Sequence, residues 1–192
     1  MHRVVVTGLG IVAPNSNTVS ESWDNTINGR SGIGPITAFD ASDFPVRIAG
    51  EVKNFSIDEY IPAKEAKRMD PFIHYGLAAS IQAIEDSGFV ISDSNAHRIG
   101  AIIGSGIGGL PGIERGYESF YSGGSKKISP FFVPRNIINM VAGHISIKYG
   151  LTGVNYAIVS ACSTGAHCIG QAARTIERGE QDIIIAGGSE FS

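Results

Sequence analysis

Of the side chains here that can do covalent chemistry, Cys162 stands in the most suggestive setting: Val159-Ser160-Ala161-Cys162-Ser163-Thr164-Gly165-Ala166. A β-rich run, residues 155–159, leads into it. A helical pattern leads out, with Ala166, Ile169, Ala173 and Ile176 on one face of a 3.6-residue period. The sulfur is therefore expected where a strand ends and a helix begins. Free backbone N–H groups and the positive end of a helix dipole meet there, and both favour a thiolate. Small neighbours leave room for a substrate to reach it. A cysteine is also often just a small buried hydrophobe, and that reading stays open on residue type alone. Cys168, the other cysteine, lies one and a half helical turns further on. The two do not face each other for a disulfide, and so low a count suits a reducing compartment.

A thiol nucleophile commonly works with a base. The five histidines are His2, His74, His97, His144 and His167. His167 is close in sequence, but five residues of helix is about 500° of rotation. Side chains meet at i+3 and i+4, so His167 is expected to be a packed or surface residue. Two glycine patterns mimic dinucleotide fingerprints: Gly104-Ser105-Gly106-Ile107-Gly108-Gly109 and Gly8-Leu9-Gly10-Ile11-Val12-Ala13. Pro111 and Pro14 stand where each would need a helix, and no acidic residue lies about twenty positions past Gly104. Turn glycines are the better reading. Lys64, Lys67 and Arg68 form a basic cluster around Glu65, an ordinary solvated face or a docking patch for an acidic partner.

The elements that must position Cys162 follow from pattern. Strands are expected at Val4–Gly8, Ile48–Val52, Ile99–Gly104, Tyr156–Val159 and Asp182–Ala186. Helices are expected at Ser20–Asn28, Lys64–Asp86, Gly112–Tyr121, Asn136–Tyr149 and Ser163–Glu177, with an extended loop at Pro130–Pro134. Alternating strands and helices indicate an α/β fold with a largely parallel sheet. Ile183-Ile184-Ile185 reads as a strand covered on both faces. The helix 136–149 carries Ile137, Ile138, Val141 and Ile145 on one stripe, fit for a core or for a subunit interface. Hydrophobic residues make up 43% of the 192, enough for a sizeable core. The net charge of −3 gives no reason to expect nucleic-acid binding. No apolar run approaches the ~20 residues of a membrane span. The start reads directly into a strand, so a cytoplasmic protein without signal peptide is expected.

Ser160-Ala161-Cys162-Ser163-Thr164-Gly165, with Ala186-Gly187-Gly188-Ser189-Glu190 after the next helix, resembles the β-ketoacyl-[acyl-carrier-protein] synthases of the thiolase superfamily. Further matches are Val6-Thr7-Gly8-Leu9-Gly10, Trp23 with Gly29-Arg30-Ser31-Gly32-Ile33, the Gly104–Gly109 segment and Ile128-Ser129-Pro130-Phe131-Phe132-Val133-Pro134. The last two resemble the long-chain-elongating branch, synthase II. The resemblance implies a thiolase-like layered fold, a mostly parallel mixed sheet with covering helices, of which residues 1–192 are the N-terminal half of a duplicated architecture. It implies decarboxylative Claisen condensation through an acyl-cysteine at Cys162, with Ile107, Phe132 and Ala161 contacting the acyl substrate. It implies docking of acyl carrier protein near Lys64, Lys67 and Arg68, and a homodimer in which Phe132 reaches the partner subunit. No metal or redox cofactor is expected. Two further histidines, a lysine and a glycine-rich segment belong to the family's second half, which these residues do not include. Rival expectations are a polyketide-type ketosynthase and a non-catalytic remnant that only dimerises.

Overall fold

The computed structural model describes residues 2–191. Helix α1 (Val19–Ile27) starts on Thr18, whose hydroxyl accepts the Glu21 N–H. A two-residue antiparallel ladder follows, β1 (Gly34–Pro35) against β2 (Ile48–Ala49). Helices α2 (Ala63–Ala66) and α3 (Pro71–Ser87) come next. The expected single helix from 64 to 86 is broken at Asp70, held extended by the proline after it. Pro71 then opens α3 at a position whose N–H would be unpaired anyway.

Strand β3 (Ile99–Gly104) leads to α4 (Leu110–Gly123) and α5 (Phe132–Asn136). The expected loop at Pro130–Pro134 is thus partly helical. Pro134 falls within the first turn of α5, where the missing N–H costs nothing. After α6 (Met140–Tyr149) come β4 (Asn155–Tyr156), α7 (Thr164–Glu177) and β5 (Ile183–Gly188). The sheet order is β4-β3-β5, all parallel, with Ile99 opposite Ile183 and Gly104 opposite Gly188.

Strand alternation divides the core. Ile99, Ala101 and Ile103 point to the face covered by α3 and α6, where they meet Phe72, Ile73, Leu77, Val141 and Ile145. Ile102 points to the other face, against Cys168 and Ala172 of α7. Val141 and Ile145 of α6 are fully buried, so that part of the stripe serves the core. The buried stripe of α7 is Thr164, Cys168, Ala172 and Thr175, rotated by about one position from the apolar stripe of Ala166, Ile169, Ala173 and Ile176 expected from the sequence. Ile169 and Ile176 instead face a cavity of about 590 Å³ bounded by β5 and residues 4–10.

Those N-terminal residues are not the expected strand. Val5 and Val6 are exposed, and the segment runs across α3, with the Leu9 N–H donating to Asp86 (2.9 Å) and the Ile11 N–H to Gln82 (3.0 Å). Side-chain acceptors on α3 thus hold the stretch just after the expected strand. Gly8 and Gly10 permit this: a Cβ on either would collide with the carbonyl oxygens of Ala83 and Ala79.

Burial sets a pH dependence. His74, whose Nε2 lies 2.9 Å from the Ala66 carbonyl, and His144 are both held below the ordinary imidazole range by burial. The folded state keeps them neutral, so stability falls as pH drops through 6.5, the ordinary value, toward the depressed folded values. Burial raises Asp70, and its contribution runs the other way, lost as pH rises above 3.8. Thermal melts between pH 7.5 and 5 should show a steeper acid loss for the native chain than for His144→Gln. Each histidine contributes at most about 1.4 kcal/mol per pH unit. Parallel curves would refute the assignment to His144.

Candidate active site

Residues 157–160 carry the chain from β4 past the end of β3 to a sharp turn at Ala161. Ala161 has φ +50°, one of two non-glycine residues at positive φ among the described residues. A conformation of this kind costs on the order of 1–3 kcal/mol and persists only where the surroundings enforce it. Two contacts enforce it here. The Ser160 N–H donates to Thr164 Oγ1 (2.9 Å), and the Ser160 hydroxyl pairs with His167 Nδ1 (2.6 Å). Both partners sit on α7, beyond Cys162, so the loop is tied down on each side of the sulfur. His167 therefore holds the turn, a role the sequence reading did not assign. The spacing of seven, two helical turns, was the available signal.

Ala161–Ser163 form one 3₁₀ turn that runs into α7 at the buried Thr164. Cys162 is exposed. It opens on a cavity of about 600 Å³ walled by Ser105–Ile107, Ala161–Cys162, Thr164–Gly165 and Gly188–Glu190. All four segments lie at the carboxyl ends of strands or at the start of α7, where open α/β sheets bind ligands. Cys168 is fully buried, and burial pushes its thiol up. Brief iodoacetamide treatment at pH 7.5 should therefore modify Cys162 at least tenfold faster than Cys168. Peptide mapping reads the ratio, and equal labelling would contradict the geometry.

The cavity brings Ile107 and Ala161 together with Cys162. Phe132 lies apart from it, its half-buried ring against Gly116 of α4. Lys64, Lys67 and Arg68 are exposed around the end of α2, with Arg68 stacked over Phe131 at 4.8 Å. Arg135 joins them through the Lys67 carbonyl, a fourth cation that only tertiary structure brings near. Asp70 is fully buried and pairs with the half-exposed Arg115 at 3.1 Å, another long-range contact without a local signal. Among the described residues no group of three or more His, Cys, Asp or Glu side chains is placed to hold a metal ion.

A small-residue turn presents a thiol at the strand ends of a parallel sheet covered by helices on both faces, and solved structures of thiolase-like ketosynthases share this fold. The ishigamide ketosynthase/chain length factor matches with TM-score 0.85 and 25% identity, covering 98% of this chain and 47% of that one. A β-ketoacyl synthase from Burkholderia phymatum matches with TM-score 0.78 and 26% identity, over 94% of this chain and 45% of that one. The chain belongs to the β-ketoacyl synthase family, whose N-terminal domain matches residues 1–192. Among its relatives, the 3-oxoacyl-[acyl-carrier-protein] synthase 2 of Vibrio cholerae is 53% identical over 188 residues, 98% of this chain and 45% of the relative. That of Coxiella burnetii is 50% identical over 190 residues, 99% of this chain and 46% of the relative. The chain thus spans about half the length of the curated relatives it matches. No helix among the described residues is long and apolar enough to cross a membrane.

Proposed function

We propose that this chain supplies the acyl-carrying half of a 3-oxoacyl-[acyl-carrier-protein] synthase of the elongating type, synthase II. The exposed thiol of Cys162, at a strained turn opening on an apolar cavity, carries this reading. The Cys162 thiolate attacks the carbonyl of an acyl thioester on the carrier protein. An acyl–sulfur bond to Cys162 forms as the bond to the carrier's pantetheine sulfur breaks, and that sulfur leaves as a thiol on taking a proton. The Cys162 N–H donates to the oxyanion of the tetrahedral intermediate. In the second step malonyl thioester loses carbon dioxide. Its enolate carbon bonds to the acyl carbonyl and Cys162 leaves as thiolate, giving a β-ketoacyl thioester two carbons longer. Release of carbon dioxide drives the bond formation, so the chemistry calls for no redox cofactor.

Stabilising the enolate takes donors beyond the thiol. By family resemblance these are two histidines and a lysine of a second, similarly folded half, and we assign decarboxylation to that half. Lys64, Lys67 and Arg68, extended by Arg135, form the carrier-docking patch: their positive charge suits a strongly acidic partner. Phe132, away from the cavity of a single chain, is assigned to the far end of the acyl channel in a homodimer. A polyketide-type ketosynthase is less well supported, since the 53% identity to a synthase 2 far exceeds the 25% to the ishigamide enzyme. The test is to incubate the chain with acyl-carrier protein and follow acyl transfer to Cys162 by mass spectrometry, then add malonyl-carrier protein and follow carbon dioxide. An acyl group that never reaches Cys162 would overturn the proposal.

A further inference from the structure

The Cys162 cavity also holds a carboxylate, Glu190, that neither step of the condensation uses. We propose, on the reading of Cys162 as the acyl-carrying thiol, that Glu190 is a positioning residue that fixes Ile107 and so sets the acyl length the cavity accepts.

The argument begins where the sheet stops. Parallel strands β3 and β5 end side by side at Gly104 and Gly188, and the chains beyond them remain joined. The Ser189 N–H donates to the Gly104 carbonyl (3.0 Å), and Gly109 bridges Phe191. Between these ties, residues 105–108 bulge away and their N–H groups lack ladder partners. Glu190 supplies the acceptor. Its Oε2 accepts the Gly106 N–H at 2.6 Å, and the Ile107 N–H lies 3.3 Å from both carboxylate oxygens. Two successive N–H groups converging on one anion form a nest, with charge-assisted bonds stronger than neutral ones. The Gly108 N–H goes to the buried Ser105 hydroxyl (2.9 Å). The turn therefore hangs on two side-chain acceptors.

Ile107 is 53% exposed, so packing constrains it weakly and the backbone strap decides where it stands. Gly106 leaves room for the strap. A Cβ at this position would lie 2.7 Å from Glu190 Oε2, whereas the next atoms, both of Ala161, are 3.5 Å or more away. Gly106 is not at positive φ, so the backbone would accept alanine. Gly106→Ala thus displaces the carboxylate, while its methyl meets Ala161 only at ordinary van der Waals distance.

The test uses Glu190→Gln and Gly106→Ala beside the native chain, each confirmed folded by circular dichroism. Acylation of Cys162 by butyryl and palmitoyl N-acetylcysteamine thioesters is measured by mass spectrometry. Freed from the strap, Ile107 no longer walls the cavity, and the palmitoyl-to-butyryl ratio should rise at least fivefold in both variants. Iodoacetamide labelling of Cys162 should stay within twofold, as a general loosening of the turn at Ala161 would not allow. Amide exchange at Gly106 and Ile107, independent of acyl transfer, should quicken at least tenfold in Glu190→Gln. Faster exchange with an unchanged ratio overturns the role in chain length. Unchanged exchange overturns the strap itself. Absence of acylation in the native chain, with exchange responding as expected, overturns the thiol reading and the chain-length role with it.

Discussion

Cys162→Ser should lose acyl transfer by at least ~10³-fold while its melting temperature stays within about a degree. Serine is nearly isosteric, and the exposed position tolerates it without repacking. The loss is chemical. A hydroxyl does not ionise near neutral pH and needs an adjacent base to attack a thioester. The nearest imidazole in sequence, His167, is engaged by Ser160 and holds the turn. Mass spectrometry of the chain after incubation with acyl-carrier protein gives the measurement. Serine retaining a tenth or more of the rate would mean that a base reaches position 162, and the assignment of His167 to the turn alone would fall.

The largest effect on stability is expected from Phe72→Ala, a loss of about 3–5 kcal/mol. Phe72 is fully buried where α3 meets α6 and the sheet, and removing its ring leaves a cavity that rigid neighbours fill poorly. Domains of this kind are stable by roughly 5–15 kcal/mol, so one substitution takes away a large share. The ring also lies under Gly108, and the Phe72 carbonyl accepts the Ser189 hydroxyl, so the floor of the Cys162 cavity should loosen with it. Urea unfolding followed by fluorescence tests this against Ile147→Ala, a 76% exposed position where less than ~0.5 kcal/mol is expected. Similar losses in the two variants would show that Phe72 is not the keystone its burial suggests.

What was legible in the sequence, and what was not, follows from the range of the interactions. The strands expected at 99–104 and 182–186 declared themselves by continuous apolar runs, because helices cover both faces of the central sheet; the second runs on to Gly188. The helix start after Cys162 was legible because a strand pattern turns into a helical one within a few residues. Val4–Gly8 carried the same apolar signal as a strand, yet it forms none, and the residues just after it, Leu9 and Ile11, donate to Asp86 and Gln82 on α3, some seventy positions away. Pro71 marked the break between α2 and α3 in plain view, and the apolar periodicity on either side of it masked the signal. In the site, Cys162, Ala161 and Ile107 were found from local composition and resemblance. The contacts of Glu190 with Gly106 and of Arg135 with the basic cluster join residues 84 and 68 positions apart, which no local window contains. Ser160 and His167, by contrast, are seven apart and meet only because the chain turns at Ala161.

The small side chains under α7 have a bearing on how such a site drifts. Thr164, Cys168, Ala172 and Thr175 seat the helix low on the sheet, and Cys162 stands just before its first turn. Enlarging Cys168 or Ala172 lifts the helix and carries the sulfur, together with Thr164 and Gly165, away from the walls that the ends of β3 and β5 supply at Ser105–Ile107 and Gly188–Glu190. Substitution at Cys168 or Ala172 is therefore a lever arm. It shifts the Cys162 thiol relative to the strand-end walls from positions six and ten residues along the chain, roughly two to three helical turns away.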